Sequence, residues 1–258
     1  MIMPQYGAGV DPDEIVGESY GAVILRVAPD QAAAVEQELV AARFSGWVTP
    51  PEDGLIVVLG NPGDGVNAGK RRGIVEVAEL LAERCRVPTL ALRVKVDRQL
   101  VLVAWQNGKE IMRYCSDPSR EPQADRDVLD DPLGAEDAPE LLRLFGSTSA
   151  GDAKAEEKFE ELLDEGIDPD SVSESERLSE VLKVLGLPTW VVATGSLPKR
   201  LSIGPAISDM TRLRVGRTGL PGILENVAVG RLRKKWTPAP VITDPPSADM
   251  SGFDPLFM

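Results

Sequence analysis

Histidine is absent from all 258 residues. Its absence removes imidazole general bases, Ser–His and Cys–His activation of a nucleophile, and His-ligated zinc. Any chemistry has to run on carboxylates, lysine, tyrosine, cysteine or backbone amides. Cysteine is nearly absent as well. Cys85 and Cys115 are the two thiols, too few for a disulfide framework or a metal cluster. They read as half-buried thiols in a reducing, cytoplasmic setting. Long apolar runs are missing too. None approaches the ~20 residues that a bilayer-crossing helix needs, so no membrane partner is expected. Residues 1–15 lack a basic start and an apolar stretch, so no secretory leader is expected. There is no internal repeat.

What is present suffices for a buried core. Hydrophobic residues make up 43%, and the length allows one large domain or two ordinary ones. The organising stretch is Leu55 to Tyr114. It opens with the apolar run Leu55 to Leu59, passes through a glycine-rich loop from Gly60 to Lys70, and continues into an amphipathic segment, Gly73 to Arg86. Strand-like segments follow at Thr89 to Val96, Gln99 to Gln106 and Lys109 to Tyr114. Asn107-Gly108 is a hairpin signal because both turn positions need positive φ. Upstream, Tyr20 to Ala28 reads as a buried strand, and Gln31 to Ala42 as a helix with Asp30 as N-cap and Ala32, Val35, Leu39 and Val40 at helical spacing. Phe44 to Val48 reads as a short strand.

The order from 20 to 114 is therefore β-α-β-β-α-β-β-β. Its first six elements match a ferredoxin-like split β-α-β unit, with two crossover helices on one face of a mainly antiparallel sheet. The last two strands extend the sheet as a meander, giving an α+β fold. A parallel three-layer arrangement is the competing layout.

The expected division is an α/β sheet domain over 1–116 and an acidic, proline-rich linker over 117–139. A helical region with one strand follows over 140–195, and a basic segment with an extended tail over 196–258. Helices are expected at Ala138 to Phe145, Ala153 to Glu165 and Ser173 to Leu185. The last opens with a capping box, Ser173 to Glu176, and closes at Gly186. Thr189 to Thr194 reads as a strand.

Net charge is −13, which disfavours nucleic acid as a partner. The charge is unevenly spread. Asp117 to Glu180 carries 21 acidic and 6 basic residues, hence −15, whereas Ser196 to Trp236 carries 9 basic and 2 acidic, hence +7.

Individual motifs are incomplete. The loop before Gly73 sits between a strand and a helix, where backbone amides and a lysine can hold an anion. Gly65, Gly69, Lys70, Arg71 and Arg72 are the candidate ligand residues. The P-loop pattern fails, because Asp64 stands where the first glycine belongs and Arg71 where the magnesium-binding hydroxyl belongs. Ser196-Leu-Pro-Lys199, Ser208-Asp-Met210 and Arg217-Thr-Gly219 mimic the three boxes of penicillin-binding serine enzymes, but Pro198 opposes the required helix. Ser147 to Gly151 mimics a nucleophile elbow with no histidine to serve it. Glu156 with Glu160, and Glu157 with Glu161, form a solvated acidic face more readily than a metal or acid–base pair.

Arg231, Arg233, Lys234, Lys235 and Trp236 interleave basic and aromatic side chains, and Phe253 and Phe257 make the end of the chain apolar. These are candidate partner-binding residues, and they could equally lie against the acidic helices of the same chain. Two functional expectations result. One is a non-catalytic, cytoplasmic protein-binding or regulatory protein, such as an inhibitor or immunity-type protein, which acts through charged surfaces on another protein, basic ones included, or on itself. The other is an enzyme or sensor that binds a phosphorylated small molecule at the Gly60–Arg72 loop. No cofactor and no metal are expected.

Overall fold

The computed structural model describes residues 19–61, 66–120, 131–146, 153–164, 173–196 and 204–217. Seven strands form one sheet: β1 (Tyr20–Arg26), β2 (Gly46–Val48), β3 (Leu55–Gly60), β4 (Thr89–Lys95), β5 (Gln99–Gln106), β6 (Lys109–Cys115) and β7 (Thr211–Leu213), in the order β6-β5-β4-β1-β3-β2-β7. Every pairing among them is antiparallel. The central order β4-β1-β3-β2 is that of the ferredoxin-like unit, and β5 and β6 extend it beyond β4 as the meander expected from Asn107-Gly108. Asn107 and Gly108 do adopt positive φ, 53° and 80°.

Helices α1 (Ala32–Ala41) and α2 (Ile74–Cys85) cover one face. Val35, Leu39, Ile74, Val77, Ala78 and Leu81 meet Val23, Leu25, Val58, Ala91, Val101 and Val103 there. The alternate strand residues Ala22, Ile24, Leu90, Leu92, Leu100 and Leu102 point the other way. They pack against α3 (Ala138–Phe145), α4 (Ala153–Asp164) and α5 (Glu174–Leu185) through Leu141, Phe145, Phe159, Leu163, Leu178 and Leu182. This period-two division lets one sheet carry two cores, which is why β1 and β5 read as continuous apolar runs.

Specific polar bonds fix the second helical layer. Arg26 Nη2 donates to the carbonyl of Phe145 at 2.9 Å, which places a cation at the C-terminus of α3. Tyr114 Oη donates to the carbonyl of Leu163 at 2.8 Å, and Arg177 Nη1 donates to both Tyr114 Oη (2.7 Å) and that carbonyl (3.0 Å). Asp97 Oδ1 accepts from the Ser175 amide at 2.9 Å and from its hydroxyl at 2.6 Å, so the β4–β5 turn holds the N-terminus of α5. Ser173 and Glu176 form the capping box anticipated for this helix, and Gly186 ends it in the left-handed region at φ 66°.

Local expectations fail at four places. Thr189–Ser196 is a 3-10 segment, not a strand. Its β-branched run is too short for periodicity to separate strand from helix, and Val191 is buried in the core beside the helices. Asp30 does not cap α1. Gln31 occupies the N-cap position without a side-chain bond to the helix, and its Oε1 accepts from the Ala28 amide at 2.9 Å. Val40 is exposed because five residues of helix carry it about 140° round from Val35. Val96 leaves β4 and enters the turn with φ 52°.

Candidate functional site

The end of the sheet at β2 and β3 is built from very close backbone approaches. Gly46 lies opposite Gly60, and a Cβ on Gly46 would stand 2.0 Å from the Leu59 carbonyl oxygen. Gly60 leaves room for buried Asn67, whose Oδ1 would lie 2.8 Å from a Cβ there. That oxygen accepts the Asn61 amide at 3.0 Å. The Asn67 carbonyl accepts the Ser45 amide at 2.7 Å, and the Asn67 amide donates to the Arg72 carbonyl at 2.8 Å. Gly69 N–H donates to the Ala42 carbonyl at 2.8 Å. The glycine-rich loop is thereby closed by a small hairpin hung from the α1–β2 connection.

The tip of this hairpin is a tight turn from Gly69 to Arg72, closed by the Arg72 amide on the Gly69 carbonyl at 3.4 Å. Its two central residues are Lys70 (φ 57°, ψ 28°) and Arg71 (φ 59°). These are positions that glycine, asparagine and aspartate normally fill.

The basic segment of the C-terminal half arrives at the same place. β7 pairs with β2, and Arg212, opposite Trp47, sets its guanidinium 4.5 Å from that ring's centroid. Val215 N–H donates to Ser45 Oγ at 2.9 Å, and Gly216 N–H donates to the Phe44 carbonyl at 2.7 Å. A Cβ on Gly216 would lie 2.4 Å from the Val40 carbonyl oxygen, so only glycine permits this approach. Partial burial, and then repulsion from Arg214, lower the Arg212 pKa below the usual arginine value.

Between these pieces lies a cleft of about 450 Å³ whose lining includes Arg43, Lys70, Arg72, Ser45, Asn61 and Val215. Two features more than 100 residues apart in sequence, the glycine-rich loop and the turn after β7, therefore meet at one cavity, whose lining includes the cationic residues Arg43, Lys70 and Arg72. Lys70, Arg71 and Arg72 make no ion pair among the described residues. The end of α1 also faces this region and would oppose an anion, but three of the carbonyls there are occupied. Leu39 accepts from Phe44, Val40 from Arg43, and Ala42 from Gly69.

Of the residues expected from sequence, Gly69, Lys70 and Arg72 line the cleft, and Arg71 stands exposed in the turn beside it. Gly65 lies outside the described residues. No residue of α2, the helix that follows the loop, lines the cavity. Arg43, Ser45, Asn61 and Val215 went unnoticed. The polar residues flanking the loop and the turn after α1 were the available signals. Arg231, Arg233, Lys234, Lys235, Trp236, Phe253 and Phe257 also lie outside the described residues, as do Ser147 to Gly151 and the 197–199 part of the first serine-enzyme box.

A second cavity of about 540 Å³ opens at the opposite end of β2 and β3 and has the opposite character. Glu52, Asp53 and Trp190 line it together with Leu55 and Pro188. Elsewhere, beneath the β4–β5 turn, Glu174 is fully buried, and Arg177 Nε lies 3.6 Å from its Oε2. Burial raises the Glu174 pKa; Ser116 and Arg177 oppose the shift, and Asp97 and Asp117 add to it. Cys85 and Cys115 form no disulfide and are half-buried, and burial followed by Glu38 pushes the Cys85 thiol up. Among the described residues no cluster of carboxylates or cysteines could hold a metal, and no helix is long and apolar enough to cross a membrane. Comparison with protein-family models, curated proteins and solved structures finds no match.

Proposed function

We propose that this protein binds a phosphorylated small molecule in the cleft formed by the Gly60–Arg72 loop, the end of α1 and the turn after β7. The observation that carries the reading is the convergence of Arg43, Lys70 and Arg72 on one cavity of about 450 Å³, a size ordinary for a small-molecule site. The strained placement of Lys70 and Arg71 supports it. Side chains held at costly backbone angles often mark positions kept for binding. The role is binding or sensing, with Lys70 and Arg72 as the charge partners of the phosphoryl group.

Thermal melting of the full chain tests this. Inorganic phosphate and phosphate esters in large excess should raise the midpoint, because a ligand that binds only the folded state stabilises it by ~2.7 kcal/mol at a hundred times Kd. Sodium chloride at matched ionic strength should not. The double variant Lys70→Met/Arg72→Met should melt normally and lose the response. No shift with any phosphate compound defeats the reading.

A second reading, a protein partner with basic side chains, draws on the other cavity. Glu52 and Asp53 beside Trp190 suit an ammonium or guanidinium group, through charge and through the indole face. Pull-down at low salt, repeated at high salt and with Glu52→Gln/Asp53→Asn, tests it. Failure to recover a partner at low salt counts against it.

A further inference from the structure

We infer that the ligand of the cationic cleft is a phosphorylated polyol or sugar, recognised through its hydroxyls by Asn61 and Ser45. This rests on the phosphate reading above and adds the chemical class.

The cleft is several times larger than a phosphate group alone, so an organic portion shares it. Apart from the cations, two neutral polar side chains on its wall have hydrogen-bonding capacity to spare. Ser45 Oγ already accepts the Val215 amide at 2.9 Å, so its proton is left to donate. The Asn61 backbone is pinned by its amide bond to Asn67 Oδ1 at 3.0 Å, while its carboxamide makes no hydrogen bond among the described residues. A carboxamide offers one acceptor and two donors, and a hydroxyl both donates and accepts. Asn61 and Ser45 thus complement a carbon chain that bears hydroxyls. The aliphatic lining residues Ala41, Ala42 and Val215 are short and leave room for the carbons. Charge from Lys70 and Arg72 would hold the phosphoryl end, and the neutral pair would read the other.

The test compares glycerol 3-phosphate with propyl phosphate, which has the same chain and charge but no hydroxyls, by calorimetric titration. Inorganic phosphate serves as the reference. Glycerol 3-phosphate should bind about five- to tenfold more tightly than propyl phosphate, the range of one or two hydrogen bonds. Asn61→Ala should shrink that ratio to below about twofold while inorganic phosphate binds as before, which also shows that the variant is folded. Equal or tighter binding of propyl phosphate, or a preference that survives Asn61→Ala, overturns the inference and leaves the anion site standing. If no phosphate compound binds the wild-type chain at all, the anion site falls and this inference with it.

Discussion

Lys70 and Arg71 occupy consecutive left-handed positions in a two-residue turn, where each non-glycine residue costs ~1 kcal/mol or more. Replacing them with Asn-Gly should relieve that strain. Lys70→Asn/Arg71→Gly is expected to raise unfolding free energy by about 1–2 kcal/mol in urea while weakening phosphate binding at least tenfold. A variant that gains stability without losing affinity would mean that the two cations are incidental. Glu174 offers a second test. Its folded-state pKa is raised above the ordinary 4.5, so the stability tied to its bound proton is complete below about 4.5 and is lost as pH rises through the folded value. Urea unfolding between pH 4 and 8 should show the wild type losing stability relative to Glu174→Gln across that window. A constant difference between the two proteins would show that Glu174 does not titrate there.

The N-terminus of α5 is held by two independent devices, its own capping box and the carboxylate of Asp97 on the β4–β5 turn. Ser173→Ala should cost about 1 kcal/mol. Asp97→Ala should cost at least as much, because it frees both the Ser175 amide and its hydroxyl. Hydrogen exchange should locate the effect in the first turn of α5, with β1 and β4 unchanged. Of these devices the capping box was legible in sequence, since Ser173 and Glu176 are three residues apart. The Asp97 contact was not, because it joins residues 78 positions apart. The same distinction holds elsewhere. The stripe from Ile74 to Leu81, the Asn107-Gly108 hairpin and the split β-α-β order are local patterns and could be read directly. The 3-10 form of Thr189–Ser196 depends on what packs around Val191. The loop was recognisable as an anion candidate from Lys70, Arg71 and Arg72, but Ser45 and Asn61 join it through bonds to Asn67 and Val215, and Arg43 through the turn after α1, where the Ala42 carbonyl accepts the Gly69 amide.

The sheet sits between two helical layers and shares a continuous core with each. A protein whose central layer belongs to both cores should unfold as one unit. Calorimetry is expected to give a single transition with equal calorimetric and van't Hoff enthalpies. Two resolved transitions would show that α3 to α5 come away separately. Tyr114→Phe tests the same linkage, because it removes the hydroxyl that joins β6 to Leu163 and Arg177. It leaves a buried guanidinium donor short of one acceptor, at a cost of about 1–3 kcal/mol.

Strand β7 also has a consequence for shortened versions of the chain. It supplies the outer neighbour of β2 from the far end of the described sequence. A fragment stopping at Ser196 would keep α1 to α5 and β1 to β6 but leave the outer rim of Gly46–Val48 unzipped and Trp47 without the guanidinium above it. Bare rims of that kind recruit whatever extended polypeptide is nearby. Such a fragment should self-associate, and a synthetic peptide spanning Thr211 to Arg217, added in trans, should act as its stopper.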